Sequence, residues 1–321
     1  MLSYVNRMSL VPTIDLAHID AAALAAIDKA CADHGFFRLE GHGLDELMQE
    51  MWRVSAAFFE GPWITKTAVR RAAANPLGYY DRELTKRKRD QKEVFDFRVN
   101  DWQTGERAMP WPKGMPVFEA ALRSYFAACI QLSENVLELI CKAMGAAPDA
   151  LAHHFGKRHT STACINHYPA YDPLPEEDRG AVNKLGDMAL HHHTDPGALT
   201  LLFHDNVGGL QAQSNEDGWI DVPADGNAIV VNLGDIMQVW TNDRYKAAMH
   251  RVTQRTDQRS RYSIPFFYQP AADALIAPLD NASSPHYRPF SWRDFIQARI
   301  DDNYADLGAD DTQVNHFRIT P

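Results

Sequence analysis

Apolar residues recur at helical spacing in three stretches of the chain and gather into short runs elsewhere. Leu24, Ile27 and Cys31 fall on one face of a segment that predicts a helix over 21–34, stopped by Gly35. A strand is predicted over 11–16 and another over 36–39, turned by Gly41-His42-Gly43. A second helix begins near Asp45, a suitable cap, and carries Leu47, Met51, Trp52 and Phe58 until Gly61-Pro62 ends it. Phe118, Leu122, Phe126, Cys129, Leu132 and Val136 predict a long helix over 117–144, followed by Gly145. Between Arg71 and Met115 only Gly78-Tyr79-Tyr80 and Val94-Phe95-Asp96-Phe97 stand out, and no element is assigned there.

From Thr160 onward the pattern changes to strand-like runs at 161–167, 199–204, 210–213, 229–232, 236–240 and 262–268. Pro196-Gly197, Gly208-Gly209, Asp217-Gly218, Asp225-Gly226 and Gly234-Asp235 punctuate them. Many short strands without intervening helices indicate a sandwich or barrel, and a double-sheet jelly roll shields its edges best. Ser291-Trp292-Arg293-Asp294 reads as a capping box opening a helix through Ile300. The predicted fold class is mainly β with α: a jelly-roll (double-stranded β-helix) core over 116–321, backed by helices, with an amino-terminal α/β region over 1–115 packed on it as one compact unit.

Composition narrows the function classes. With 45% hydrophobic and 23% charged residues in 321, the chain is neither disordered nor fibrous. A formal charge of -10 disfavours a nucleic-acid surface. The one basic run, Lys86-Arg87-Lys88-Arg89, reads as a solvated loop or helix face because acidic residues flank it. Cys31, Cys129, Cys141 and Cys164 contain no Cys-x-x-Cys pair and sit among apolar residues, as reduced core thiols of a cytoplasmic protein do. No apolar run approaches the roughly 18 residues of a membrane span, and the first 13 residues lack a signal-peptide core.

The candidate chemistry centres on His191-His192-His193-Thr194-Asp195-Pro196-Gly197. On an extended backbone His193 and Asp195 point to the same side, so both can bind one metal ion, and His250 can close the set from a distant strand. Two imidazoles and one carboxylate leave several coordination positions open, as non-haem Fe(II) oxygen chemistry requires. A lone strand histidine is more often a satisfied core or surface residue, and alternation turns His192 away from its neighbours. The interval to Asp195, the Pro-Gly turn after it and the second isolated histidine count for His193. A structural zinc site would use four ligands, commonly with cysteine.

At Asn166-His167-Tyr168-Pro169, at 193–202, and at Val207-Gly208-Gly209-Leu210-Gln211 the chain resembles the Fe(II)/2-oxoglutarate-dependent dioxygenases of the isopenicillin N synthase-like type. The resemblance continues through Val230-Val231-Asn232-Leu233-Gly234-Asp235, Arg244-Tyr245-Lys246, His250-Arg251-Val252 and 261–267, and at the front through Ile14-Asp15-Leu16, His34-Gly35-Phe36-Phe37 and Gly41-His42-Gly43. It implies His193, Asp195 and His250 as ligands of Fe(II). Arg261, with Ser263 on the same face, would take the far carboxylate of the cosubstrate 2-oxoglutarate, since a guanidinium fork suits it better than an ammonium. Tyr168 and Asn166 would hydrogen-bond the same molecule. His167 stands where an aromatic such as Tyr is frequent, and should point away from both.

The activity implied is oxidation of a small organic molecule with O2, coupled to decarboxylation of 2-oxoglutarate to succinate. Hydroxylation, desaturation or ring closure would follow through a ferryl intermediate. Two alternatives stay open: a 2-oxoglutarate-independent Fe(II) oxidase in which the Arg-x-Ser pair anchors the substrate, and a non-catalytic small-ligand-binding protein. Tyr79, Tyr80, Phe95, Phe97 and Phe267 can line an apolar pocket, although such clusters, like Trp240, more often belong to the core. Neither substrate identity nor oligomeric state is legible.

Overall fold

The computed structural model describes residues 10–319 apart from 73–74, 86–87, 100–107, 157, 175, 181, 183–187, 254–258, 280–283 and 305–312. β1 (Thr13–Asp15), α1 (Ala21–Asp33) and β2 (Phe36–Glu40) open the chain, and the two strands pair in parallel. Asp20 caps α1, its Oδ1 accepting from the Ala23 amide at 2.8 Å. Gly35, at φ +72, then turns the chain where a Cβ would collide with the Lys246 carbonyl. α2 (Asp45–Phe59) and the short α3 (Trp63–Thr67) follow. Asp45 is the first helical residue of α2 rather than its cap. Leu44 holds the cap position without a side-chain bond, and Asp45 instead accepts from Asn227 Nδ2 at 2.8 Å.

The stretch left unassigned holds β3 (Gly78–Tyr80), β4 (Leu84–Thr85), β5 (Lys88–Arg89) and β6 (Glu93–Phe97). Its two aromatic clusters are β3 and β6, which pair antiparallel. The basic run departs from its expected solvated role at Arg89, which is 2% exposed and paired through both amino nitrogens with Asp172. A guanidinium held by a carboxylate fork tolerates burial that a lone charge does not. Lys86 and Arg87 lie outside the described residues.

α4 (Pro116–Ala143) buries Phe118, Leu122, Phe126, Cys129, Leu132 and Val136, the stripe that predicted it. After it come β7 (Thr162–Tyr168), α5 (Glu176–Arg179), β8 (Met188–His193), β9 (Leu199–His204), β10 (Leu210–Ser214), β11 (Gly218–Asp221) and β12 (Ile229–Leu233). α6 (Asp235–Trp240), β13 (His250–Thr253), β14 (Arg261–Tyr268), β15 (Leu275–Ile276), β16 (Phe290–Ser291) and α7 (Trp292–Tyr304) complete the order. The run at 236–240, expected as a strand, is the helix α6. Ile236, Met237, Val239 and Trp240 are all buried, so no polar face betrays the helical period in so short a run. At α7 the Asp294 amide points to Ser291 Oγ at 3.4 Å, the amino-terminal half of the expected box.

Eight strands form one sheet in the order β1-β2-β12-β9-β14-β7-β6-β3, and β11-β10-β13-β8 form a second. Alternation gives the large sheet two apolar faces. On one, Phe37, Phe95, Phe97, Ile165, Leu201, Phe203, Ile264 and Phe266 pack against α1, α2 and α4, and Tyr125 of α4 donates to the Ile264 carbonyl at 2.7 Å. Each such side chain contributes roughly 1.5–3 kcal/mol by leaving water. On the other, Phe36, Tyr168, Leu202 and Val230 meet Ala189, Leu210, Ala212, Ile220 and Val252 of the small sheet. This is the jelly roll, mainly β with helices backing it. Tyr79, Phe95 and Phe97 are therefore core on the helical side and do not line the space between the sheets, and Trp240 is core as well.

Candidate active site

β8 turns Ala189, His191 and His193 inward by alternation, while His192 faces out beside Trp219. β13 pairs with β8 so that His250 stands directly opposite His193, with the rings 4.3 Å apart. Asp195 lies two residues beyond, its Oδ1 3.7 Å from His193 Nε2 and 3.9 Å from His250 Nε2. One ligand atom from each of the three falls within 4.8 Å of the others, the sole such group among the described residues. The spacing read from the sequence thus brings all three side chains together.

Their remaining hydrogen bonds aim the ligand atoms. His193 Nδ1 lies 2.9 Å from the His191 carbonyl and His250 Nδ1 lies 2.8 Å from the Ala248 carbonyl. A carbonyl only accepts, so each Nδ1 carries the proton and each Nε2 offers a lone pair. Asp195 Oδ2 accepts from Thr200 Oγ1 at 2.6 Å and Asn232 Nδ2 at 2.8 Å, leaving Oδ1 to face the imidazoles. Burial, and then the neighbouring His250, push the His193 pKa well below its ordinary value. Burial opposes ionisation of Asp195, yet the two imidazoles and the bonds from Thr200 and Asn232 hold its pKa below the usual carboxylate range. Two imidazoles and one carboxylate with open positions beside them fit Fe(II).

The loop holding Asp195 is fixed from behind. The Asp235 amide donates to the Asp195 carbonyl at 2.7 Å, and a Cβ on Gly234 would strike the Gly197 and Asp195 carbonyls. Arg299 of α7 donates to the Thr194 carbonyl at 2.9 Å, between the two loop ligands, and lies 4.0 Å from Asp235.

The facing wall belongs to the large sheet. β14 pairs with β7 so that Arg261 stands opposite Tyr168 and Ser263 opposite Asn166, putting all four on one face. The Arg261 guanidinium sits 4.8 Å over the Tyr168 ring and reaches Ser263 Oγ at 3.3 Å. It is 3% exposed, its Nε is unpartnered, and no acidic side chain pairs with it among the described residues. Burial and then the Arg261 charge push His204, across β9 from Ser263, down to about 4. A buried guanidinium without an acid calls for an anionic ligand. His167 faces away as alternation requires, with Nδ1 2.8 Å from Glu93 and its ring stacked 4.5 Å from Tyr262.

Several polar neighbours of this space escaped the sequence reading: Thr200 and Asn232 behind Asp195, the buried Asp90 3.2 Å from His191, and Lys92 beside Asn166. Thr200 and Asn232 lay in motifs quoted for the resemblance, and His191 shares the strand face of His193. Asp90 and Lys92 carry no spacing signal.

A family model described as 2OG-Fe(II) oxygenase superfamily matches residues 160–270, and one described as non-haem dioxygenase in morphine synthesis N-terminal matches 11–116. Gibberellin 2-beta-dioxygenase 1 of Arabidopsis thaliana is 32% identical, over 93% of this chain and 92% of its own. Flavonol synthase/flavanone 3-hydroxylase of Matthiola incana is 29% identical, over 90% and 97%. Among solved structures, a full-length Neurospora crassa protein in complex with alpha-KG superposes with a TM-score of 0.79 at 26% identity, covering 93% of this chain and 98% of that one. JOX2 in complex with 2OG, Fe and JA superposes with a TM-score of 0.78 at 27% identity, covering 97% and 89%. These neighbours carry the 2-oxo acid, which favours the 2-oxoglutarate-dependent reading over the independent oxidase. With its three ligand atoms on one side of the jelly roll and an unpaired guanidinium on the other, the chain belongs to the 2OG-Fe(II) oxygenase superfamily and is an Fe(II)- and 2-oxoglutarate-dependent dioxygenase.

Proposed function

We propose that His193, Asp195 and His250 hold the Fe(II), that Arg261 and Ser263 hold the far carboxylate of 2-oxoglutarate, and that Tyr168 and Asn166 orient the cosubstrate for oxidation of a small organic molecule. The observation that carries this reading is the buried Arg261, with no acid paired to it among the described residues, facing the cluster of ligand atoms. Bound there, Fe(II) supplies activation of O2 coupled to oxidative decarboxylation of 2-oxoglutarate to succinate and carbon dioxide.

The chain's own residues do the rest. Asp195 contributes the single negative charge that leaves the site able to accept a dianionic cosubstrate. Thr200 and Asn232 keep its second oxygen occupied, so one ligand atom is presented and positions stay open. Arg261 and Ser263 supply parallel donors to a carboxylate. Leu202, Val230, Leu210 and Val252 line an apolar interior that excludes water from the reacting atoms. The relatives named above are called dioxygenases and hydroxylases of gibberellin and flavanone, which supports a small-molecule substrate here. Four free, buried cysteines and the absence of any membrane-length apolar helix among the described residues support a reducing cytoplasmic setting.

Purified protein given Fe(II), ascorbate and 2-oxoglutarate should release succinate even without substrate. Asp195→Ala should lose that release, with the far-ultraviolet dichroism of the wild type retained. Succinate production by the variant at the wild-type rate would remove the assignment.

A further inference from the structure

Arg261 is not the only buried cation of the cavity wall. Lys92 immediately precedes β6, and alternation sets it on the opposite face from Glu93, whose carboxylate points to the helical side and meets Tyr79, Lys66 and His167. Lys92 therefore points between the sheets, is 7% exposed, and reaches Asn166 Oδ1 at 3.3 Å and Glu83 Oε2 at 2.7 Å. An ammonium has three N–H donors. Two are matched, and the third has no acceptor among the described residues.

Its charge is met by Glu83 and, through space, by the buried Asp90, so what the site leaves open is a donor rather than a charge. Glu83 is shared with Arg71, whose guanidinium lies over Tyr80 at 4.2 Å and also meets Asp96 at 2.9 Å. Asp96 is the weaker anion, pushed up to about 6 chiefly by burial. Burial opposes the charge of Lys92, yet Glu83 and its other neighbours keep the ammonium protonated well beyond its ordinary range.

Position separates Lys92 from the cosubstrate's anchor. The strand order β14-β7-β6 puts it two strands from Arg261, about 10 Å away at ordinary sheet spacing. By accepting from Lys92, Asn166 Oδ1 also fixes the amide so that Nδ2 turns toward the remaining space. In the reading above, Arg261 and the metal would use both ends of 2-oxoglutarate, so the third donor of Lys92, set apart from them, is left for another acceptor.

We propose that Lys92 anchors a carboxylate of the substrate, so that the molecule oxidised is a small organic acid; this rests on the reading of the cavity given above. A neutral ring system in the same place leaves the third donor unmatched in a medium where an unpaired polar group is costly. The carboxylate also sets orientation, holding the carbon chain on the far side of the ammonium from Glu83.

The test is calorimetric titration of the anaerobic holoenzyme, loaded with Fe(II) and 2-oxoglutarate, with benzoate against benzamide and indole-3-acetate against indole-3-acetamide. Each acid should bind about tenfold or more tightly than its amide. Lys92→Met should bring the two within a factor of about two, whereas Lys92→Arg should keep the preference for the acid. Equal binding of acid and amide by the wild type, failure of both acids to bind, or a preference that survives Lys92→Met would overturn the proposal. A purely structural lysine would weaken acid and amide alike, and the wild-type comparison needs no variant to fold. Failure of the wild type to bind 2-oxoglutarate at the loading step would instead count against the cavity reading itself.

Discussion

At the scale of single residues, the cluster of His193, Asp195 and His250 depends as much on what stands behind each side chain as on the three themselves. Thr200 Oγ1 lies 2.6 Å from Asp195 Oδ2, a charge-assisted bond that holds the carboxylate's rotation. Thr200→Val keeps the shape and removes the donor, leaving Asn232 as the sole hydrogen-bond donor to that oxygen. Metal affinity should fall roughly 10–100-fold, read by titration of the metal-free protein, while the unfolding midpoint moves little. An unchanged affinity would mean Asn232 suffices. That His193 and Asp195 lie together was legible because a histidine and a carboxylate two positions apart must share a face of extended chain. Thr200, Asn232 and Lys92 were not, because alternation tells which face a side chain takes and not which strand lies next to it. That register comes from pairings such as Asn232 with Thr200, between residues far apart in the chain.

At the scale of elements, the boundaries of α1, α4 and β9 were legible to within a residue or two, because each shows a full apolar stripe or a continuous buried run. α6 was not, being short and apolar all round. The turn after it carries a device that no periodicity reveals. Asn242 and Asp243 both take the left-handed conformation, at φ 51 and 68, which their short polar side chains tolerate. Asp243 then receives Arg318 at 2.9 and 2.7 Å, Tyr287 Oη at 2.5 Å and His286 Nδ1 at 2.7 Å, tying the segment near residue 318 to the end of α6. Burial opposes ionisation of Asp243, but the bonds from Arg318, Tyr287 and His286 outweigh it and hold the carboxyl at about 2, below its ordinary 3.8. A folded pKa below the unfolded one stabilises the fold above about pH 4 and loses that contribution as pH falls through about 2. Asp243→Asn should cost roughly 1 kcal/mol at neutral pH, as expected of a partly exposed charge network. It should also flatten the dependence of unfolding midpoint on pH between those limits. A variant whose midpoint tracks the wild type across that window would assign the acid sensitivity to other carboxylates.

At the scale of the whole molecule, the strands of the front and back of the chain interleave in one sheet. β2 lies beside β12, and β6 beside β7, so strands from the first hundred residues flank the oxygenase strands on both sides. Composition and period announced a jelly roll with an α/β front. They were silent on this interleaving, which is a matter of long-range pairing. A shared sheet and a shared apolar layer against α1, α2 and α4 leave no plane along which the front could separate without baring the β12 and β7 edges. Denaturant unfolding followed by tryptophan fluorescence and by far-ultraviolet dichroism should therefore give coincident single transitions. Two separated transitions would mean that the front folds apart.

The grip of Arg299 on the Thr194 carbonyl has a consequence for biosynthesis. The two residues lie 105 positions apart, and the second arrives with α7. While the chain is being made, His193, Asp195 and His250 have all left the ribosome before the clamp that steadies their loop exists. In the reading proposed above, the pocket that would hold iron is therefore braced only in the nearly finished polypeptide, and a chain ended before Arg299 should bind the metal more weakly.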